Sequence, residues 1–432
     1  MTVMSQVGTG DFNYAKLVLL NKHKASLSTM PMRILYTNFH RRSTHNGHVT
    51  YVMSLARALS TRHHIVVASP RGSRLLLQAQ AETSISAVAQ PFPNRIWKLA
   101  AAARQFRRLI VQTRIDIVHA NGSADHLLAM VACLGLRRAP RIVYTKHNDL
   151  PISPWAARLH VWTGTHHVIG VCESVRDALG KTPYARVPLT AIPNGVDTRH
   201  FDRETFLAQL GAQAAVAALR EGWSADVEPN PLYKEAKNAG PYTGGDSVQS
   251  ATDMLILGSH AGTVDYKGWL HMVQAVARLD QPVRSRIRIV LAGVLPTAAQ
   301  RLGVAQVGMT GQVHFTGPLE DVRAFVAALD VGFVLSWRET ISFACREMMA
   351  MGVPVIVSNH GGLPENIDDS RNGWIVDCHD IDAIARLVQY LATHSDEVAR
   401  MGIAAKLRAQ SAFGLSAYVA ATENVYHQVL AV

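Results

Sequence analysis

What most constrains this chain is a rhythm. From Met32 onward, short apolar runs rich in β-branched residues alternate with longer stretches of helical periodicity, and the pattern is played twice. The first pass predicts strands at Arg33–Thr37, His64–Ser69, Ile115–Ala120, Arg141–Thr145 and His167–Val171. Helices are predicted at Gly47–Ser60, Arg95–Thr113 and Ala124–Leu136. The pattern lapses over about Arg203–Thr252, where Glu228-Pro-Asn-Pro and Gly240-Pro-Tyr-Thr-Gly-Gly are loop punctuation. It resumes with strands at Met254–Leu257, Ile287–Ala292, Val313–Phe315, Val331–Leu335 and Val353–Val357. Continuous apolar strands separated by helices describe a parallel sheet covered on both faces. Two such passes predict two α/β domains, the first over 32–190 and the second over 191–414. Residues 1–31 show no period and read as a disordered leader. In sheets of this kind ligands bind beyond the carboxyl ends of the strands, so the loops there carry the functional question.

Several classes are excluded early. No apolar run reaches the ~18 residues of a membrane-spanning helix, and residues 1–31 show neither the unbroken apolar core nor the small-residue cleavage site expected of a secretory signal. The four cysteines (Cys133, Cys172, Cys345 and Cys378) lie far apart, without a CxxC or a histidine at ligand spacing. They read as free thiols of a reducing cytosol. Asp380-Ile-Asp382 resembles a metal-binding DxD, but it opens an amphipathic helix, where Asp is a cap and dipole partner. No catalytic metal and no cofactor are expected. Dinucleotide and Walker glycine loops are missing.

Charge divides the chain more sharply than composition does. Residues 32–190 hold 21 Lys and Arg against 6 Asp and Glu, a balance of +15, whereas 191–432 hold 19 against 25, or −6. The segment Arg95–Arg114 alone carries Arg95, Lys98, Arg104, Arg107, Arg108 and Arg114 with no acidic residue. A one-sign field of this strength points to an anionic partner.

The densest chemical signal is Arg338-Glu-Thr-Ile-Ser-Phe-Ala-Cys-Arg-Glu347, followed by Gly361-Gly-Leu-Pro-Glu365. Glu339 falls just past a predicted strand and Glu347 in the next helix. At ~1.5 Å per residue the pair spans roughly 12 Å of helix, about the reach from ribose to hexose in a nucleotide sugar. Alone, both glutamates also fit a solvated helix face. Further signals are Asn46-Gly47-His48 between the first strand and helix, Thr145-Lys-His147 at a strand end, Glu173-Ser-Val-Arg176, Pro193-Asn-Gly-Val-Asp197, and Asp265-Tyr-Lys267-Gly.

Taken in order, these segments resemble the family 4 glycosyltransferases, over nearly the whole chain from Met32. The resemblance implies a GT-B fold, two Rossmann-like domains facing across a cleft. The first would bind the acceptor and the second, with Asn194 near its start, the nucleotide sugar. The last helix, near Leu415–Val432, would return to the first domain. It further implies that Glu339 faces the donor sugar hydroxyls, Glu347 the ribose, and Lys267 the diphosphate, with His147 near the donor sugar. Gly47, Gly361 and Gly362 would let backbone approach the donor. His119 matches a family position less clearly. The family pattern is Gly-Arg, four intervening residues, then Lys-Gly. Here the stretch is Leu257-Gly-Ser-His260-Ala-Gly-Thr-Val-Asp-Tyr-Lys267, longer and without the arginine. His260 or loop amides are the available substitutes.

The expected activity is therefore retaining, metal-independent transfer from a nucleoside-diphosphate sugar, with the leaving phosphate taking the acceptor proton. The basic half suggests a membrane-associated anionic acceptor, such as a lipopolysaccharide core or another lipid-linked glycan. That places the protein in the cytoplasm, peripheral to the inner face of the membrane. Three alternatives stay open on the sequence: a GT-B sugar-nucleotide epimerase, an inactive nucleotide-sugar-binding subunit, and a nucleic-acid binder. The last lacks any basic motif interleaved with aromatics, so no nucleic-acid partner is expected.

Overall fold

The computed structural model describes residues 30–41, 46–93, 95–224 and 254–432. The expected leader lies almost wholly outside this range. The two passes of the rhythm become two wholly parallel sheets. The first comprises β1 (Arg33–Thr37), β2 (His64–Ser69), β3 (Ile85–Ala89), β4 (Ile117–Ala120), β5 (Arg141–Lys146), β6 (Thr165–Gly170) and β7 (Leu189–Ala191). Its spatial order is β3-β2-β1-β4-β5-β6-β7. The second comprises β8 (Leu255–Ser259), β9 (Ile287–Ala292), β10 (Val313–Gly317), β11 (Val331–Val334), β12 (Val355–Ser358) and β13 (Gly373–Val376), ordered β10-β9-β8-β11-β12-β13. These are the two Rossmann-like sheets of a GT-B fold.

Each order reverses once, between β1 and β4 and between β8 and β11. At both reversals the flanking crossovers leave on opposite faces, and the strand ends open into a crevice. The register Thr37↔Ala120 brings the carboxyl ends of β1 and β4 level, and Gly332↔Gly258 aligns β11 with β8. Central strands are buried throughout: Leu255–Ser259 and Ile287–Ala292 have no exposed residue. Ile34, Tyr36, Val67 and Ile117 anchor the core on one face of the first sheet, and Leu35, Val118 and Phe106 the other.

The chain passes between halves twice. Val196 and Gly414 form an isolated parallel bridge where the two crossings lie side by side. Beyond it, the helix Leu415–Leu430 packs Tyr418, Val419, Val425, Tyr426 and Val429 into the core of the first sheet. The Tyr426 hydroxyl meets the Tyr36 hydroxyl at 2.9 Å and His119 Nδ1 at 2.6 Å.

Three predictions need correction. The segment after Arg203 is not irregular from its start. Asp202 caps a short helix, Arg203–Leu207, by accepting from Thr205 N at 2.8 Å. A second helix, Ala212–Ser224, buries Val216 and Trp223, the latter edge-on to Phe325. The first is too short and polar, and the second too rich in alanine, to show a clear apolar period, while the expected Pro/Gly loop lies outside the described residues. Next, β3, β7 and β13 were missed because they are edge strands with half-exposed patterns or very short runs. Finally, Glu339 is not on the helix of Glu347. That helix begins at Phe343, capped by Ser342, whose hydroxyl accepts from Cys345 N. The helical-rise estimate of their separation therefore does not hold.

Candidate active site

Loops from both reversals meet in the cleft. From the second sheet come His260, one residue past β8, and the segment 335–342, which follows β11 and carries Glu339. Lys267 reaches Glu339, Nζ to Oε2 at 2.6 Å, with both side chains largely covered. The lysine ends a turn of 3-10 helix, Asp265–Lys267, and Gly268 opens the helix Trp269–Ala277 behind it with no side-chain cap. A cation beside an uncapped helix N-terminus is a natural position for phosphate oxygens. His260 Nε2 lies 2.7 Å from Glu347 Oε2, and the histidine side chain is only 6% exposed. His260 is thus directed at the glutamate of the ribose expectation.

Gly361 and Gly362 are required by backbone contact. Gly361 has φ +60°, and a Cβ there would lie 1.8 Å from the Glu339 carbonyl oxygen; one on Gly362 would lie 1.9 Å from the Thr340 carbonyl oxygen. The two glycines let the loop after β12 pack directly beneath the backbone of Glu339. Any side chain would lift that carboxylate.

The first sheet contributes His147, just past β5. Thr340 Oγ1 donates to the His147 carbonyl oxygen at 2.9 Å across the cleft, so His147 and Glu339 belong to one connected group. His147 Nε2 lies 2.9 Å from Asn121 Oδ1. The Asn121 amide nitrogen donates to the carbonyls of Thr37 and His119, which leaves its oxygen for the histidine. Nε2 of His147 therefore carries the proton and Nδ1 keeps its lone pair. Burial, then neighbouring His48, His119, His40 and Lys146, hold this imidazole well below its ordinary value, so it is neutral. Asn121, at the end of β4, was not anticipated; its place at a sheet reversal is the signal that would have found it.

Other expected residues are less central. A Cβ on Gly47 would sit 3.7 Å from the Phe343 ring, so it faces the same cleft with room to spare. Asn194 lies at the crossing between halves, 5% exposed, with its carbonyl held by Arg346. Among the described residues no hydrogen bond joins it to Glu339 or Lys267. His119 is fully buried between Tyr426 and Thr145, a core residue with no access to the cleft. Asp380 caps its helix through Ala383 N at 2.9 Å and Asp382 pairs with Arg278, so this DxD is structural.

A second recess, of about 770 Å³, opens beside the carboxyl ends of the first-sheet strands. Arg41, Arg71, Arg95 and Lys98 line it together with Phe39 and Phe92. Among the described residues no carboxylate lines it. Four cations around aromatic walls suit a phosphorylated or otherwise anionic glycan.

Two parallel Rossmann-like sheets, with carboxylates and a lysine on one meeting a histidine on the other, make up a two-domain architecture of the GT-B type. A family model described as Glycosyltransferase Family 4 matches residues 45–200, and one described as Glycosyl transferases group 1 matches 252–394. The chain belongs to the family 4, group 1 glycosyltransferases of the GT-B fold. It is 35% identical over 167 residues to a D-inositol 3-phosphate glycosyltransferase of Streptomyces scabiei, a match that covers 36% of this chain and 37% of the relative. It thus spans little more than a third of that protein's length. A GDP-mannose-dependent alpha-(1-6)-phosphatidylinositol monomannoside mannosyltransferase of Mycolicibacterium smegmatis is 26% identical, covering 83% of this chain and 89% of its own. A glycosyltransferase from Rickettsia africae superposes with a TM-score of 0.75 at 17% identity, covering 93% of this chain and 99% of its own.

Proposed function

We propose that the protein transfers a sugar, with retention of anomeric configuration, from a nucleoside-diphosphate sugar to a membrane-associated anionic glycan or glycolipid. The observation that carries this reading is the Lys267–Glu339 pair. It stands at the reversal point of one sheet and is joined through Thr340 to His147 of the other. In this reading the diphosphate takes Lys267 and the helix N-terminus behind it, offsetting the charge that builds as the glycosidic bond breaks. Glu339 then turns to the sugar hydroxyls and Glu347, braced by His260, to the ribose. Carboxylates accept from paired hydroxyls through strong, charge-assisted hydrogen bonds. Neutral His147 contributes a dipole without a charge beside the leaving phosphate. That phosphate takes the acceptor proton on the same face. No metal enters the mechanism.

The acceptor side rests on the first half. Its +15 balance gathers partly in the recess of Arg41, Arg71, Arg95 and Lys98. On the helix Pro154–Thr163, Trp155, Leu159 and Trp162 stand at helical spacing on one side, exposed to 76%, 46% and 86%. Arg158 lies over the Trp155 ring at 5.2 Å. Tryptophan and leucine with a cation alongside suit the headgroup layer of a bilayer. The names of two relatives agree, one a phosphatidylinositol monomannoside mannosyltransferase and one a lipopolysaccharide core biosynthesis glycosyltransferase of Rhizobium meliloti. Among the described residues no helix is long and apolar enough to cross a membrane.

The test begins with a thermal-shift screen of UDP, GDP and ADP sugars. The cognate donor at ~100 times its Kd should stabilise the protein by ~2.7 kcal/mol. Transfer of labelled sugar to a membrane-lipid fraction should follow. Donor binding with no transfer to any lipid or glycan fraction would overturn the activity.

A further inference from the structure

Behind the donor-side loops, one helix and two loops of the second half bring together side chains that the proposed reaction leaves unused. His271 comes from the helix Trp269–Ala277, Cys378 and His379 from the loop after β13, and His360 from the loop after β12. One potential ligand atom from each of His271, Cys378 and His379 lies within 4.8 Å of the other two. Cys378 Sγ also lies 3.8 Å from His360 Nδ1. Around tetrahedral zinc, bonds of ~2.3 Å to sulfur and ~2.0–2.1 Å to nitrogen set neighbouring ligand atoms about 3.6 Å apart. The thiol and imidazole already stand near that edge length.

A second observation points to a ligand. His271 Nδ1 is buried with no well-aligned hydrogen bond, although the imidazole as a whole donates toward the Cys378 backbone carbonyl. Buried polar atoms are ordinarily paired, and an imidazole that donates through one nitrogen keeps a lone pair on the other for a ligand. The rings are also held in place. Trp337 stacks on His271 at 5.4 Å and lies 5.8 Å from His379, while Asp377 Oδ1 accepts from His379 N at 2.9 Å. Cys378 is fully buried, so an ion bound by its sulfur is shielded from water on that side. The plain alternative is aromatic packing at the edge of a domain, which leaves that lone pair unexplained.

We propose that His271, Cys378 and His379, with His360 as the fourth donor, bind a divalent transition metal of the zinc type. One thiolate and three imidazoles select borderline ions over magnesium or calcium. On binding, the Cys378 sulfur exchanges its proton for the metal, and the proton leaves to solvent. The role is structural. His360 directly precedes Gly361 and Gly362, which underlie Glu339, and the helix of His271 begins one residue after Gly268, beside Lys267. The ion therefore ties the loop beneath Glu339 and the helix that follows Lys267 to the end of β13 without touching substrate.

The experiment uses the full chain, reduced and stripped with a chelator, titrated with Co2+ as the probe. One equivalent should bind, with a thiolate-to-cobalt charge-transfer band in the near ultraviolet and visible bands of tetrahedral intensity, both discharged by Zn2+. Cys378→Ser should abolish the charge-transfer band, and Cys133→Ser, a second buried thiol, should keep it. His379 is exposed, so His379→Ala tests the site without disturbing the fold, and cobalt affinity should fall tenfold or more. His360→Ala should change the visible bands as solvent enters the fourth position. No charge-transfer band in the unaltered chain, or undiminished affinity in His379→Ala, overturns the site. An unchanged spectrum in His360→Ala removes that residue from it.

Discussion

Glu365 and Ser174 belong to different halves of the molecule, yet the carboxylate of one closes the helix that holds the other. Glu365 Oε1 accepts from Ser174 N and Oε2 from Glu173 N, each at 2.9 Å. The helix Glu173–Gly180 has no side-chain cap of its own, since Cys172 stands at its N-cap position without one. The second half supplies the missing acceptor and places a negative charge at the positive end of the helix dipole. Replacing Glu365 by Ala should cost ~1–2 kcal/mol of the closed arrangement. Small-angle scattering should show a larger radius of gyration, with kcat falling more than donor affinity. An unchanged scattering profile and kcat would show that the contact does not hold the halves together.

The two carboxylates should separate by kinetic parameter. Glu339→Gln is expected to lower kcat, because it removes the charge nearest the proposed sugar site. Glu347→Gln should chiefly raise donor KM. Loss of one charge-assisted hydrogen bond, at ~1.5–3 kcal/mol, corresponds to roughly ten- to a hundredfold in each. Steady-state kinetics of both variants checks this, and near-normal values in both would remove the glutamates from the site.

Lys267→Ala should weaken free nucleoside diphosphate as much as the intact sugar nucleotide, because the proposed contact is to phosphate. Calorimetry with the free diphosphate reads this directly. His260→Ala tests the other loop residue. Its 2.7 Å contact to Glu347 predicts a loss that tracks the nucleoside and not the phosphate.

Acid should unfold the first half before the second. Burial lowers His119 to about 3 and His160 and His167 to about 4, and holds His126 well below its ordinary value. Each is neutral when folded and takes up a proton when unfolded below pH ~6.5, so folding loses stability as pH falls from there toward 4. Between pH 7 and 5 each withdraws roughly 1–2 kcal/mol. Asp125 has the opposite sign: burial raises it to about 6, so it favours folding as pH falls through that value, but it is a single group. Denaturant melts at pH 7.5 and 5 should show a lower midpoint at pH 5. Equal midpoints would refute this account.

Binding to membranes should depend on both charge and tryptophan. The protein should sediment with anionic vesicles at low salt and be released at high salt, where the screening length shortens to ~3 Å. Trp155→Ser with Trp162→Ser should cut binding at low salt without changing donor affinity. Equal recovery with neutral and anionic vesicles would direct the search to a soluble phosphorylated acceptor.

The strands and the family segments were legible because each is written in consecutive residues. Val331–Val334 and Ile287–Ala292 declare themselves by apolar continuity, and Glu339 by its place after a strand. What the sequence hid depends on loops from separate strands converging. His260 on Glu347, Glu365 beneath Glu173, and His271 beside Cys378 are each far apart in the chain. The spacing of Glu339 and Glu347 misled for a related reason: Ser342 starts the helix between them, which no residue count reveals.

The return of Leu415–Leu430 to the first sheet sets an order on biosynthesis. Tyr36 is made early and Tyr426 nearly four hundred residues later, yet their hydroxyls meet in one buried network with His119. A ribosome working at ~5–20 residues per second delivers that closing helix tens of seconds after the first strand. During this interval the first half has an open apolar face, while the second half, whose six strands all lie between residues 255 and 376, already has its full sheet available. The later-made half can therefore finish first. The early one, left uncovered in the meantime, is where a nascent-chain chaperone or a premature stop would have its largest effect.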